Sequence, residues 1–312
     1  MDGPRASSDL SFSADLIAVL VAVTGGEPRV LTIEEGRALP SGPFESGHRS
    51  LQAGLRAWVE RQTHHPVGYV EQLYTFADRD RTEAGLRIIS ISYLGLTRQN
   101  QPSGDDQASW RSWYRYFPWE DHRAGLPDII RRRIAPALQS WARAGSSLSV
   151  RRERRQRVAV NFGCDAHAWN EELVLQRYET LYEAGLVPER TRGMGGSCTK
   201  PVLGLPMLHD HRRILATGIA RLRAKIKYRP VVFELMPPSF TLLQLQHCVE
   251  ALAGQRMHKQ NFRRLIEQQR LVEETGDIAT ETGGRPAKLF RFIRLVQQER
   301  AFAGTKLPVA RS

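Results

Sequence analysis

The spacing of apolar positions divides the chain into three stretches of different character. Between residues 14 and 98, apolar runs of strand length surround one run of helix length. "DLIAVLVAV" (15–23) and "PRVLTI" (28–33) are almost continuously apolar on either side of Gly25-Gly26, which predicts two strands joined by a tight turn. "SLQAGLRAWVERQ" (50–62) places Leu51, Leu55, Trp58 and Val59 on one side of a helix. "GYVEQLYTF" (68–76) and "LRIISISYLGL" (86–96) are β-rich and apolar, as strands covered on both faces must be.

"TRQNQPSGDDQ" (97–107) ends this pattern. From about residue 100 to 208 the chain is expected to be an irregular insertion rich in Trp, Arg and Gly. Within it "DIIRRRIAPALQSWARAG" (128–145) is helical in character, and "NEELVLQRYETLYEAG" (170–185) predicts an amphipathic helix closed by Gly185. A long basic helix over 209–226 follows, stopped before Pro230, and is expected to link a first domain, 1–228, to a second, 229–312.

The third stretch has clear local signals. Thr241 and Gln244 form a capping box, Phe240 and Leu245 a hydrophobic staple, and Leu242, Leu245, Val249 and Leu252 an inward face ending at Gly254. After a three-residue turn, "MHKQNFRRLIEQQR" (257–270) predicts a second helix with Phe262, Leu265 and Ile266 inward. Lys259, Gln260, Asn261, Arg263 and Arg264 are left outward. Strands over "LVEET" (271–275) and "AKLFRF" (287–292) flank a Gly-rich tip carrying Arg285 and Lys288. Helix, turn, helix and wing in this order predict a winged helix-turn-helix. Arg and Gln on an exposed helix can read guanine and adenine edges, and a wing arginine can reach a phosphate or a narrow minor groove. The same scaffold is also used for docking proteins.

Charge strengthens the first of these readings. The 312 residues carry a formal net charge of +12, which favours a polyanionic partner such as nucleic acid or an acidic membrane face. Residues 229–312 hold 13 Lys/Arg against 8 Asp/Glu. The run "RRERRQR" (151–157) is either a solvated basic face or a further phosphate-binding patch, and "GMGG" (193–196) either a plain loop or a phosphate-binding one. Three scattered cysteines, Cys164, Cys198 and Cys248, suit a reducing compartment. "CDAH" (Cys164, His167) has no second ligand pair at zinc spacing. The apolar start is too short to span a bilayer and lacks a charged leader, so the expected location is cytoplasmic with no membrane partner.

The remaining signal is a damaged one. Residues 42–64 align without a gap to the Nudix box, with Gly42 at its first glycine, Arg56 at its arginine, Trp58 at a bulky apolar site and Glu60 at one glutamate. The other acidic positions hold His48, Ala57 and Arg61, and Thr63 replaces the second glycine. An intact box crowds carboxylates on one helix face to hold Mg²⁺ against a diphosphate. Arg61 puts a fixed cation there instead, which repels a metal and can still attract a diphosphate. An ordinary amphipathic helix also fits this spacing.

Together with "YVEQLYTFADRDR", "RIISISYLGL", "DHRRIL", "RLRAKIKYRPVVFEL", "FTLLQLQ", "NFRRLIEQQRLVEETG" and "GRPAKLFRF", these features resemble the bacterial Nudix-related transcriptional regulators of NAD metabolism, the NrtR family. The likeness covers residues 14–98 and 209–294. It implies an α+β fold, a Nudix-like α/β/α sandwich followed by a winged helix-turn-helix. It also implies a homodimeric repressor of NAD synthesis or salvage genes, bound to palindromic double-stranded operator DNA and responsive to ADP-ribose, NAD or a related dinucleotide. On this reading Arg37, Arg56, Glu60 and Arg61 are the expected ligand-binding residues. Lys259, Gln260, Asn261, Arg263, Arg264, Arg285 and Lys288 are the expected DNA contacts. No catalytic residue, metal or cofactor is expected. The competing expectation is a divergent Nudix pyrophosphatase that hydrolyses ADP-ribose or a related nucleoside diphosphate.

Overall fold

The computed structural model describes residues 12–68, 70–77, 82–83, 86–99, 108–190, 203–227, 231–279 and 286–293. Strands β1 (Phe12–Thr24) and β2 (Glu27–Thr32) pair across Gly25 and Gly26, at φ of +60° and +72°. Two successive left-handed residues match the right-handed twist of the strands they join, and glycine adopts them without strain. Then come β3 (Ser41–Pro43), α1 (Leu51–Thr63), β4 (Val70–Phe76), β5 (Thr82–Glu83), β6 (Leu86–Leu96) and β7 (Ser109–Ser112). The sheet runs β4-β6-β1-β2-β7, with β3 also paired to β1 and β5 to β6. Its central β1–β6 pair is parallel, from Phe12 opposite Arg87 to Val21 opposite Leu96.

The pleat of β1 explains its unbroken apolar run. Leu16, Ala18 and Leu20 point to one face, where they pack with Leu55 and Val59 of α1. Ile17, Val19 and Val21 point to the other and join the main core. A strand covered on both faces has no polar side to alternate.

The insertion is not irregular. β7 extends the sheet beside β2, and two 3-10 turns, 113–115 and 118–120, drive Trp113, Tyr116, Phe117 and Trp119 into the main core. A π-turn, Ile130–Ile134, runs into α2 (Ala135–Arg143), and α3 (Leu148–Phe162) and α4 (Val174–Glu183) complete a helical layer. The π-turn has a local cause in Pro136, which offers no N–H to the helical ladder. Aromatic residues presented from 3-10 turns follow neither the helical nor the strand period, so no pattern announces them.

Helix α5 (His211–Ile226) corrects the expected connector between domains, since ten of its sixteen residues are buried. It is the second helical layer of the sandwich. A Cβ at Gly218 would meet the Val19 side chain at 2.9 Å, so glycine lets α5 lie close on β1. Its basic character is absorbed by partners: Arg213 pairs with Glu179, Lys225 with Glu71, and Lys227, just past its end, with Glu171 and Glu172.

The last part is a winged helix of α6 (Leu242–Ala253), α7 (Lys259–Gln269), β8 (Val272–Ala279) and β9 (Ala287–Phe292). The Thr241–Gln244 capping box is present, and Phe240 bridges to Phe290 as a third, one-residue strand. The turn between the helices is longer than the sequence suggests, and α7 starts at Lys259 with His258 as its N-cap. Met257 is held in the turn because its backbone N–H donates to Glu250 and its carbonyl accepts from Gln246. One apolar core runs from Val19 through Ile219 of α5 to Leu245, Val249 and Phe262.

Candidate nucleic-acid interface and effector face

Helix α7 is amphipathic with a narrow apolar side. Phe262 and Ile266 are buried and Leu265 is half-buried, which fixes the opposite side outward. Lys259, Gln260, Asn261, Arg263 and Arg264 are all exposed, and their side chains make no hydrogen bond or ion pair among the described residues. This sets them apart from the cations of α5, whose charges are largely spent inside the molecule. Sequence reading missed Arg270, exposed at the left-handed C-cap of α7 with φ of +49°. Its only signal was its place between the second helix and the wing.

In the wing the cations have acidic neighbours. The Lys288 ammonium lies 2.9 Å from Glu274 on the facing strand, and Arg291 pairs with Glu273 at 2.7 Å. Lys288 is therefore not a free cation. Exposed pairs contribute only about 0–1 kcal/mol, so a phosphate can compete for it. Arg285 lies outside the described residues.

The end of α6 is where the winged helix joins the sheet layer. A helix leaves its last carbonyls without partners, and here groups from outside supply them. Tyr114 Oη donates to the carbonyl of Ala251 (2.7 Å), Arg223 Nε to Leu252 (2.9 Å) and the His122 backbone N–H to Gly254 (2.7 Å). Gly254 sits at φ of +72° and a Cβ there would meet the Glu120 carbonyl at 2.4 Å, so the junction admits only glycine without rearrangement. Behind it, the buried Glu120 carboxylate accepts from Arg177 Nε (2.6 Å), a second Arg177 nitrogen (2.9 Å) and Arg223 (2.6 Å). Burial alone would raise the Glu120 pKa, but the two guanidiniums outweigh it and hold the carboxyl below the ordinary glutamate range. His122 stacks on Trp169 at 3.8 Å, and burial lowers its pKa to about 4, against the pull of Glu120. Glu120, Arg177 and Arg223 lie 57 and 103 positions apart along the chain, and no local pattern points to them.

The candidate effector face carries α1. Ser50 caps this helix, accepting from Ala53, and Leu55 and Val59 anchor it on β1. Gly42 is not a turn residue. It lies in β3 opposite Leu16, and a Cβ there would meet the Trp58 ring at 2.2 Å, so glycine makes room for the indole. Trp58 Nε1 donates to the Pro43 carbonyl, and the Arg61 guanidinium lies 4.0 Å over the same ring. Arg56 donates to the Val67 carbonyl and so holds the loop leaving the helix. Glu60, one turn beyond Arg56, is exposed and its carboxylate has no partner among the described residues. Arg56, Glu60 and Arg61 all lie on α1, with Arg56 turned to the loop after the helix and Arg61 to the Trp58 ring. Arg37 is not part of the group: its hydrogen bonds run to Glu34 and, through its carbonyl, to Leu208 before α5. Among the described residues no group of three His, Cys, Asp or Glu side chains could hold a metal ion, and no helix is long and apolar enough to cross a membrane.

Comparison with known proteins agrees with this architecture. Residues 232–292 match the family profile of the NrtR DNA-binding winged helix domain. Over 90 residues the chain is 41% identical to the ADPR responsive transcriptional repressor NtrR of Acinetobacter baylyi. That alignment covers 29% of this chain and 36% of the relative, so the chain spans about a third of the length of the curated protein it matches. The crystal structure of Shewanella oneidensis NrtR superposes with a TM-score of 0.54 at 18% identity, covering 94% of this chain and 99% of that one. The same protein complexed with a 27mer DNA gives 0.53 at 20% identity, with the same coverage. The fold is thus the expected α+β arrangement, a Nudix-like sandwich followed by a winged helix-turn-helix of the NrtR type.

Proposed function

We propose that this protein is a DNA-binding transcriptional regulator whose Nudix-like layer senses ADP-ribose or a related NAD-type dinucleotide without hydrolysing it. The observation that carries the reading is the outward side of α7, where Lys259, Gln260, Asn261, Arg263 and Arg264 stand exposed with no side-chain partner among the described residues. A helix of groove-fitting width with free bidentate donors is what base-edge readout requires. The similar Shewanella protein was crystallised with DNA, and the similar Acinetobacter protein is described as an ADPR responsive repressor. The first supports DNA binding and the second an ADP-ribose-responsive repressor; NAD synthesis or salvage genes are the targets that the sequence resemblance implies.

On α1 at least one of Arg56 and Arg61 would meet the diphosphate, with Glu60 available to a ribose hydroxyl. Ala57 and Arg61 stand where an active Nudix helix places carboxylates, so the site binds and does not cut. Binding at α1 can reach the DNA reader through contacts already described: α1 packs on β1, α5 lies on the other side of β1, and Arg223 of α5, with Tyr114 and His122, holds the last turn of α6. One winged helix reads few bases, which favours a homodimer on an inverted repeat, acting in the cytoplasm. The test is a gel shift on the region upstream of the protein's own gene, with wild type and Arg263→Ala. Retarded wild-type complex and weakened variant complex support the reading, and equal retardation of both places the DNA surface elsewhere.

A further inference from the structure

We propose a second ligand site, separate from the effector face, in the groove between α2 and α3, and that it takes an amphiphilic anion: an alkyl chain bearing a carboxylate or a phosphate ester. The groove holds a cavity of about 520 Å³, within the range of small-molecule sites, roughly 300–1,000 Å³. Its floor is largely apolar, built from Ile130 and Ile134 of the π-turn, Leu138 and Ala142 of α2, and Val158 and Phe162 of α3. Apart from the arginines and Asp165, the only polar side chains lining it among the described residues are Gln139, which is exposed, and Cys164.

The rim has the opposite chemistry. Arg143, Arg151 and Arg155 line the same cavity from its two walls, all exposed. Arg151 donates to the Gly145 carbonyl and Arg155 to the Arg151 carbonyl, but none of the three is paired with an acid among the described residues. Residues 128–157 hold nine arginines against two acidic residues, Asp128 and Glu153. Asp128 is taken by Arg131 and Arg132 on the π-turn. Asp165 is the single carboxylate lining the groove. Like charges converging over an apolar trough repel one another, and a head group with one or two negative charges relieves this while its chain covers the floor. Leu148 also lines the groove with 80% of its surface exposed, an apolar residue left in water until a chain reaches it. Two other arginines of the run, Arg154 and Arg157, are used differently: they lie over the Trp141 ring at 4.4 and 5.2 Å, and Arg157 pairs with Glu183. The basic run therefore divides into a structural side and a rim.

The test is calorimetry on the full chain with decanoate, decyl phosphate and decyltrimethylammonium, each below its micelle-forming concentration. The expected result is saturable 1:1 binding of one or both anions and none of the cation. A preference between decanoate and decyl phosphate tells a carboxylate ligand from a phosphorylated one. The double variant Arg143→Glu/Arg155→Glu changes two exposed side chains and should fold normally, and it is expected to bind the anions at least tenfold more weakly. Absence of heat from both anions, equal binding by the double variant, or equal binding of the cation would overturn the proposal. Because the groove shares no residue with α1 or α7, these outcomes are independent of the effector and DNA readings.

Discussion

At the scale of single residues the decisive group is Glu120. Its carboxylate is the shared partner of two buried arginines from different helices, one of which also holds the end of α6. Removing one member of a buried ionic cluster leaves uncompensated charge in a medium that solvates it poorly. Glu120→Gln is expected to cost about 3–5 kcal/mol in urea denaturation; a loss under about 1 kcal/mol, no more than an exposed pair gives, would show that water reaches the cluster. His122 gives a second, pH-dependent reading of the same place. Burial lowers its pKa from 6.5 to about 4, so the folded state keeps it neutral where the unfolded chain is protonated. Stability is therefore fully present above pH 6.5 and is lost as pH falls towards about 4, by up to about 3 kcal/mol. Glu120 and Asp121, whose pKa values are lowered, add their own loss below the ordinary carboxylate range, a separate and more acidic window. Thermal melts between pH 7 and 5 should fall for wild type and flatten for His122→Gln.

At the scale of elements the contrast lies between α7 and the wing. Arg263→Ala and Arg264→Ala remove exposed side chains that are unpaired among the described residues, so melting temperature should hold while affinity for the cognate duplex falls. If either reads a base, the loss is roughly 1–3 kcal/mol, with relaxed specificity at that position. Lys288→Ala should cost less, because Lys288 must first leave Glu274, and it should lower all sequences alike. Anisotropy titrations at two salt concentrations separate the two behaviours. The winged helix was legible because its signals are local: the Thr241–Gln244 box, the Gly254 cap and the Phe262/Ile266 spacing each sit within a few residues. The strands of the sandwich were legible from their continuous apolar runs. What stayed hidden is non-local. Trp113 and Trp119 reach the core from 3-10 turns, α3 is mostly polar, and the charges of α5 looked like a surface until Glu71, Glu179 and Glu189 were found beside them. On α1 the sequence placed Arg56, Glu60 and Arg61 together, but it could not show that Arg61 lies on Trp58 or that Arg37 faces other partners.

At the scale of the molecule, β1 is shared by the two apolar clusters: one of its faces packs on α1, and the other belongs to the core that continues into the winged helix, with the polar junction at α6 beside it. A ligand changes DNA affinity only by the difference between its affinities for the two states. In the proposed dimer, a small closure at α1 would register as a change in the spacing of two α7 helices. Half-site centres about one helical turn apart, roughly 10 bp, are expected, and inserting five base pairs between them should abolish tight binding. Sedimentation with duplex DNA should find two chains per operator, and a one-to-one complex would contradict the dimer. The central claim is that the Nudix-like layer controls DNA binding as a sensor, and a single titration tests it. Operator affinity is measured at fixed salt without and with ADP-ribose, in EDTA, with the nucleotide recovered and assayed afterwards. The account predicts a shift of operator affinity by ADP-ribose, with the ligand returned intact, and loss of that shift in Arg61→Glu while its ligand-free affinity is kept. Unchanged operator affinity at saturating ADP-ribose and NAD, or turnover of the nucleotide at ordinary enzyme rates once Mg²⁺ is supplied, would contradict it.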